Sequence, residues 1–295
     1  MITIAPAKSL QERFLNDFVD KVLPEDGSET QRLCCGLRFH PLNKKKRSSN
    51  LTETIQKELK IEFPSTNMPA TLGEVIKKIK ERFGDAMQAD GVPVDLLTGT
   101  RGRQRQYPDA KSPWQIIYEW LWEIEFPRQG WKLGQEMATY AIEELQMIEL
   151  QNGDRDICLN NVAKTPATIH KEKKYALQVD FPHSGHLLLI NQGVSGKRYC
   201  LCPSLAFSLE TQVVPEKKLH IPGIKALASA LQYMDMGSEY FLAILTENPV
   251  NLSWVHPESN PNDILVTDER LQEIFKQVGR QWNAQVFYKK FEVVE

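Results

Sequence analysis

Two histidines and two cysteines in the second half of the chain have the side-chain types that bind zinc. His183 and His186 lie close together, and Cys200 and Cys202 flank one residue on the neighbouring predicted strand. Two imidazoles and two thiolates could complete a tetrahedral zinc site. However, the spacings differ from those of common fingers and ribbons, and both cysteines are predicted to point to one sheet face. We therefore expect core or surface positions, with no metal and no other cofactor.

A nucleophilic site would need a cysteine or serine beside a base and an orienting carboxylate. Cys34 or Cys35 with His40 and Asp26 offers these groups, but all of them lie within one stretch of helical sequence. No protease or nucleophile-elbow signature surrounds them. The sequence therefore predicts no catalytic residues, and we expect a protein that is not an enzyme.

Two basic runs offer contacts to anions. Their members are Lys44, Lys45, Lys46 and Arg47 in the first run, and Arg101, Arg103 and Arg105 in the second. Arginine matches phosphate because its fork donates two parallel hydrogen bonds. Two interpretations stay open for both runs: a contact to nucleic acid or another phosphate ligand, or an exposed loop whose charges are solvated or paired with carboxylates.

An aromatic stripe is predicted on a helix near the middle of the chain. Ser112 followed by Pro113 is typical of a helix start. Behind this start, Trp114, Tyr118 and Trp122 recur at helical spacing. These side chains belong either to a core or to a surface that binds a protein partner.

A second helix is predicted from Trp131 to Ile148, after a break at residues 127–130, which makes the pair a helical hairpin. The second helix carries three glutamates against one lysine, so it is unlike a recognition helix that faces phosphates. Trp131 at its start joins Trp114, Tyr118 and Trp122 as a candidate partner surface.

The chain before this hairpin has the pattern of amphipathic helices. Leu10, Phe14 and Phe18 mark one over residues 8–23, and Ser28 starts another that runs to about Leu37. Thr71 to Glu74 matches a capping box at the start of a third helix.

From Tyr175 onward the pattern changes to short strands. Tyr175–Phe181 alternates apolar and polar residues, His186–Asn191 is apolar on both faces, and Arg198–Cys202 completes a predicted three-stranded meander. Near the end, a helix capped by Thr267 or Asp268 precedes a last strand. That strand slips in its alternation at Lys289, which predicts a bulge or an edge.

These elements predict an α+β protein. A mainly helical domain is expected over residues 1–167, followed over 168–295 by a β-sandwich-like domain with one packed helix. Between them, Ala163–Lys174 is polar and holds a proline and four lysines, so we interpret it as the interdomain linker.

The strand-rich part resembles a known family. Its quoted segments are HSGHLLLINQGVSGKRYCLCPS, then KLHIPG, then MGSEYFLAILTENPVNLSW. They resemble a bacterial β-rich domain of unknown function, common in cyanobacteria and often found beside caspase-like or trypsin-like peptidases or kinases. The resemblance covers roughly Tyr175–Trp254 and carries over no catalytic residue. It implies a module that accompanies effectors.

Composition limits the remaining classes. The 295 residues include 36 basic and 38 acidic side chains, so the net charge of -2 gives no global attraction to nucleic acid or membrane. An odd count of five cysteines is a poor disulfide framework. No apolar run reaches about 18 residues, and the early charges are unlike a signal peptide. We therefore expect a cytoplasmic protein without a membrane partner.

Two functional hypotheses follow from the sequence. The first is a non-catalytic adaptor or regulator that binds a protein partner, an effector such as a protease, in bacterial signalling or antiviral defence. The alternative is a nucleic-acid-binding regulator that uses the two basic runs of the helical domain.

Overall fold

A computed structural model describes the chain over residues 9–24, 27–45, 53–54, 68–97, 111–150 and 168–295. Within these residues the chain divides into two compact units. The first is built from Gln11–Gln129, and the second from residues 9–10 and Gly130–Glu295. Helices dominate up to residue 137, and β-sheets with one C-terminal helix follow, which confirms the predicted α+β class.

The described helices largely begin where the capping residues indicate. They are α1 Leu10–Val22, α2 Glu29–Phe39, α3 Met68–Ala89, α4 Pro113–Trp120, α5 Phe126–Met137 and α6 Asp268–Gly279. Ser28 and Thr267 cap α2 and α6 with their side chains, as predicted. The capping box at Thr71 is wrong, because α3 already begins at Met68. Pro69 allows the earlier start, since a proline in the first turn lacks only a donor that would have no helical partner.

Aromatic side chains fill the core of the first unit. The Phe14 ring centroid lies 5.4 Å from that of Trp122 and 5.1 Å from that of Phe126. Phe18 and Phe39 meet at 6.0 Å, edge to face. The stripe predicted on α1 therefore packs against the aromatic stripe that begins on α4.

The predicted helical hairpin is wrong. α4 continues through a π-helical turn, Leu121–Glu125, directly into α5, without the break expected at residues 127–130. A proline inside a helix removes one hydrogen bond and crowds the carbonyl four residues earlier. The residue four positions before Pro127 is Glu123, which lies inside the π turn. The wider spacing of this turn gives the proline ring room, so the helix continues past Pro127.

The described residues of the second unit form eleven strands. They are β1 Thr139–Tyr140, β2 Leu145–Glu149, β3 Thr168–His170, β4 Lys174–Val179, β5 Gly185–Gln192, β6 Arg198–Cys202, β7 Gln212–Val213, β8 Leu219–Ile221, β9 Leu231–Gln232, β10 Gly237–Thr246 and β11 Gln285–Val294. The larger sheet has the order β1-β11-β10-β5-β6, with β3 on β11 and β7 on β5. The smaller sheet has the order β2-β4-β8, with β9 on β4.

The two sheets enclose one apolar core. Leu177 of the smaller sheet belongs to the same buried cluster as Leu189, Phe241 and Phe291 of the larger sheet. Alternate residues of each strand point into this layer, as the pleat requires. The β-rich part is thus built as a sandwich.

The helix α6 belongs to the same unit as the sandwich. Its buried side chains include Leu271, Ile274, Phe275 and Val278. At Gly130 a side chain would collide with the Phe275 ring, because an added Cβ would lie 2.2 Å from it. Gly130 therefore lets the start of the second unit approach α6 closely.

Two predicted elements of this unit need correction. Tyr175–Phe181 does not join a three-stranded meander, because β4 belongs to the smaller sheet and only β5 and β6 pair. The predicted helix to Ile148 ends at Met137, and its last residues form β2.

The described part of the predicted linker is not a linker either. Residues 168–170 form β3, which pairs in parallel with β11, and Ile169 is fully buried. The rest of that linker, residues 163–167, lies outside the described residues. The two units part between Gln129 and Gly130, whereas the sequence-based boundary lay near residue 168.

The last strand has no bulge at Lys289, because β11 pairs with β10 in one unbroken register from Gly237↔Val293 to Leu245↔Gln285. On its other side β11 pairs with β1 at Phe287 and Tyr288 and with β3 from Glu292 to Val294, so the described strands leave Lys289 unpaired on that side. Lys289 interrupts the apolar alternation because it occupies an inward position. Its Nζ donates to the carbonyl oxygens of Ala141, at 2.8 Å, and Ile142, at 3.0 Å.

Candidate functional site

The predicted partner surface does not form as one patch. Trp122 is 2% exposed, and its Nε1 donates to the carbonyl oxygen of Phe39 at 2.9 Å. Tyr118 is 7% exposed. Both rings belong to the core of the first unit, because the helix turns this face inward. A partner cannot reach them without unfolding that unit.

The other two tryptophans are half-buried and lie in different units. Trp114 belongs to the first unit, where the guanidinium carbon of Arg38 lies 3.7 Å from its ring centroid. Trp131 belongs to the second unit, and Arg198 lies 5.4 Å from its ring. Each indole is thus engaged by an arginine of its own unit.

The start of the first basic run meets the aromatic helix. Lys44 Nζ lies 5.2 Å from the Tyr118 ring centroid, and Lys45 beside it is exposed. Lys46, Arg47, Arg101, Arg103 and Arg105 lie outside the described residues, so their predicted contact to nucleic acid stays a prediction. The structure therefore describes two of the seven predicted basic residues, Lys44 and Lys45, and Lys44 contacts the aromatic ring of Tyr118 on α4.

Burial sets the protonation of the groups around this contact. It raises the pKa of Tyr118 to about 12, and Glu123 adds to the rise while Arg38 opposes it. Burial also raises the pKa of Cys34 to about 12. The phenol and the thiol both keep their protons at neutral pH.

The cysteine constellation near the N-terminus has no nucleophile. Cys34 and Cys35 are fully buried, and burial raises the pKa of both thiols. The thiolate is the reactive form of cysteine, so neither side chain is poised to attack a substrate. His40 Nδ1 accepts a hydrogen bond from the Leu42 N–H at 3.2 Å, and Asp26 lies outside the described residues.

The histidine and cysteine pairs of the second unit do not converge. A bulge sets Cys200 opposite Ile190 and Cys202 opposite Leu189, so the two thiols face opposite sides of the sheet. The prediction that they share one face is wrong, because the extra residue Leu201 changes the alternation. Within the described ranges, no group of three or more potential ligands is arranged to hold a metal ion.

A small cavity opens at one end of the larger sheet, where β5 begins and β10 ends. Its volume is about 180 Å³, and its lining residues are His183, Ser184, Leu245, Thr246, Glu247, Asn283 and Gln285. The Thr246 hydroxyl donates to the Asn248 carbonyl oxygen at 2.8 Å, so its proton is engaged. The lining residues include hydrogen-bond donors and acceptors and one apolar side chain, Leu245.

The most exposed apolar side chains lie on loops of the second unit. Of the eleven large apolar residues exposed in the described chain, seven fall between residues 194 and 236. Ile224 is 105% exposed, Leu227 66% and Leu209 56%. Backbone hydrogen bonds join their loops: Gly223 N donates to Phe207 O at 2.7 Å, and Ala228 N to Ala206 O at 2.9 Å. We call Leu209, Ile224 and Leu227 the loop surface.

Sequence reasoning missed the loop surface. Pro222-Gly223 signalled a turn after the strand, and the apolar residues just beyond it had no helical or alternating pattern. An apolar residue without a period in a loop that follows Pro-Gly was the signal that could have identified it.

A polar group is also buried at the opposite end of β5. The Asn191 amide donates to the Glu239 carboxylate at 2.9 Å, and the Val194 backbone N–H donates to it as well. Burial raises the pKa of Glu239 more than these two hydrogen bonds lower it, and Asp235 adds to the rise. Glu239 is 6% exposed, so it fixes the turn after β5 and does not face solvent.

Comparison with known proteins gives no relative: no family model, no curated protein and no solved structure matches the chain. Among the described helices, none is both long enough and apolar enough to cross a membrane.

Proposed function

We propose that this chain is a non-catalytic adaptor or regulatory protein that docks a protein partner through the loop surface. The partner class is an effector such as a protease, and the setting is the cytoplasm, in bacterial and specifically cyanobacterial signalling or antiviral defence. The resemblance of the strand-rich part to an effector-associated domain supports this choice of partner and setting.

One observation carries the proposal, the outward placement of Leu209, Ile224 and Leu227. Scattered single apolar residues are normal on a protein surface, whereas several on adjoining loops indicate a contact site. Burying a fully exposed isoleucine side chain in an interface contributes about 1.5–3 kcal/mol of favourable free energy. Ile224 therefore has the largest apolar surface to bury on binding. The Gly223 and Ala228 hydrogen bonds join the two loops to each other, so little order has to be gained on binding.

The position of the surface also fits a docking role. Leu209 and Ile224 flank a stretch anchored by buried residues, among them Val213 at 1% and Ile221 at 0% exposure. A partner can therefore press on the loops without disturbing the core.

The test is co-purification of the tagged full chain from its native host, with two matched variants. Ile224→Asp places a charge on the loop surface, and Ile142→Asp makes the same change at a site that is 69% exposed elsewhere. We expect the wild type and Ile142→Asp to retain the same peptidase- or kinase-type partner and Ile224→Asp to lose it at least about tenfold.

Circular dichroism melts of all three proteins should coincide, because both substitutions are at exposed positions. Equal retention of the partner by Ile224→Asp would show that the loop surface is not the docking site. If no protein co-purifies reproducibly with the wild type, the adaptor function itself fails.

A further inference from the structure

Hydrogen bonds hold the backbone at the start of the first basic run. Arg38 is 1% exposed, and its Nη2 donates to the carbonyl oxygen of Asn43 at 2.6 Å. The Asn43 amide in turn donates to the carbonyl oxygen of Leu37 at 2.9 Å, and Lys44 N donates to Pro41 O at 3.2 Å. The two lysines that follow Asn43 are therefore held at a set place and do not extend from a free loop.

Two aromatic side chains of α4 lie close to the turn that carries Lys44. Trp114 and Tyr118 are four residues apart on α4, so they share one face of the helix. Arg38 stacks on Trp114 at 3.7 Å, and Lys44 Nζ approaches the Tyr118 ring at 5.2 Å. Arg38 thus joins the lysine turn to the aromatic face, where Trp114 is half-buried.

The charges of this corner leave the two lysines available. Lys111 at the base of α4 is paired with Glu119 at 2.5 Å. Neither Lys44 nor Lys45 forms an ion pair with a residue that the structure describes, and both are exposed. Glu123 lies near enough to raise the pKa of Tyr118, so it limits the net positive charge. Two exposed lysines that form no ion pair within the described chain, on the same corner as a half-buried tryptophan, suit a ligand that is anionic and has flat rings.

We propose that Lys44, Lys45 and Trp114 form a contact for single-stranded nucleic acid, with the lysines on phosphates and the indole stacked on a base. An unpaired strand fits better than a duplex, because a base can stack on a side chain only when it is free of its partner. Arg38 acts here as a positioning residue, since it orders both the turn and the ring. The proposal does not depend on the adaptor function and uses a different surface.

Fluorescence anisotropy of the full chain with a labelled single-stranded oligonucleotide at low salt tests the contact, with the same sequence as a duplex for comparison. We expect the single strand to bind more tightly than the duplex. Its affinity should fall with salt at a log–log slope near -1.4, about 0.7 for each of two phosphates. Trp114→Leu should weaken single-strand binding roughly fivefold or more, the effect of losing one stacked base.

Charge reversal distinguishes specific binding at Lys44 and Lys45 from non-specific electrostatic attraction of nucleic acid to the protein. Lys44→Glu with Lys45→Glu should weaken binding about tenfold or more at low salt. Lys217→Glu with Lys218→Glu makes the same change at two adjacent exposed lysines of the second unit and should have little effect. If Trp114→Leu loses its circular dichroism signal, the lysine pair alone decides the outcome.

Three results would overturn the proposal: no binding of the single strand at low salt, equal losses for the two lysine pairs, or heparin competing as well as the single strand while Trp114→Leu binds normally. The last result would mean that the turn attracts any polyanion and reads no base.

Discussion

The aromatic helix of the first unit and the loop surface of the second place apolar side chains in opposite environments. Trp122 is 2% exposed in the π-helical turn that continues α4, whereas Ile224 is 105% exposed in a loop. The helix can bury its large rings because residues at helical spacing share one face. The loop that carries Ile224 has no helical or alternating period that would place its apolar side chains on one inward face. Whether these apolar side chains are buried depends on the secondary-structure element that carries them, and not on the residue type.

The largest expected effect comes from placing the same charge at these two positions. Trp122→Asp should destabilise the first unit by more than about 4 kcal/mol, because it leaves a cavity and buries a charge. Ile224→Asp should change the free energy of unfolding by less than about 0.5 kcal/mol. Urea unfolding, followed separately for the two units, checks both values. A folded, stable Trp122→Asp protein would contradict the burial of that helix face.

A second contrast lies within β11, between two neighbouring lysines. Lys289 is 8% exposed and donates to two carbonyl oxygens, whereas Lys290 is exposed. Lys289→Ala should destabilise the second unit by about 1–3 kcal/mol, since it removes the packed stem and leaves those carbonyls without their donor.

Lys290→Ala is the matched control for this change. Its free energy of unfolding should stay within about 0.5 kcal/mol of the wild-type value, because the ion pair of Lys290 with Glu292, at 3.5 Å, is exposed to solvent. Thermal and urea melts of the two variants give the comparison. Equal stability of both proteins would show that the inward position of Lys289 contributes nothing.

Much of the fold could be predicted from local patterns. The helix starts at Ser28, Ser112 and Thr267 follow from capping chemistry, and the apolar run of β5 follows from burial on both faces. Strand pairing could not be predicted in the same way. The Pro182 turn leads from one sheet to the other, and a turn that pairs two strands has the same local sequence signals.

The candidate sites depended even more on tertiary contacts. The basic run and the aromatic helix were visible as separate features, but Arg38, which joins them, looked like an ordinary helical residue. The bulge at Leu201 was equally hidden, since alternation alone puts Cys200 and Cys202 on one face. Both features depend on contacts with segments that are distant in the sequence. The hydrophobic periodicity of a single sequence does not show which distant segments pack together.

The smallest expected effect distinguishes a buried acid from an exposed one. The folded-state pKa of Glu239 is raised, chiefly by burial, so as the pH rises the unfolded chain releases this proton before the folded chain does. The folded state then binds more protons, and linkage requires its stability to fall as the pH climbs from the ordinary carboxyl range through the raised pKa. Glu239→Gln cannot ionise, so its free energy of unfolding should lose this part of the decline. Glu292→Gln, on an exposed site of β11, should keep the wild-type dependence. Urea melts at a series of pH values from acidic to neutral measure the slopes, and parallel curves for the wild type and Glu239→Gln would rule out a raised pKa at this position.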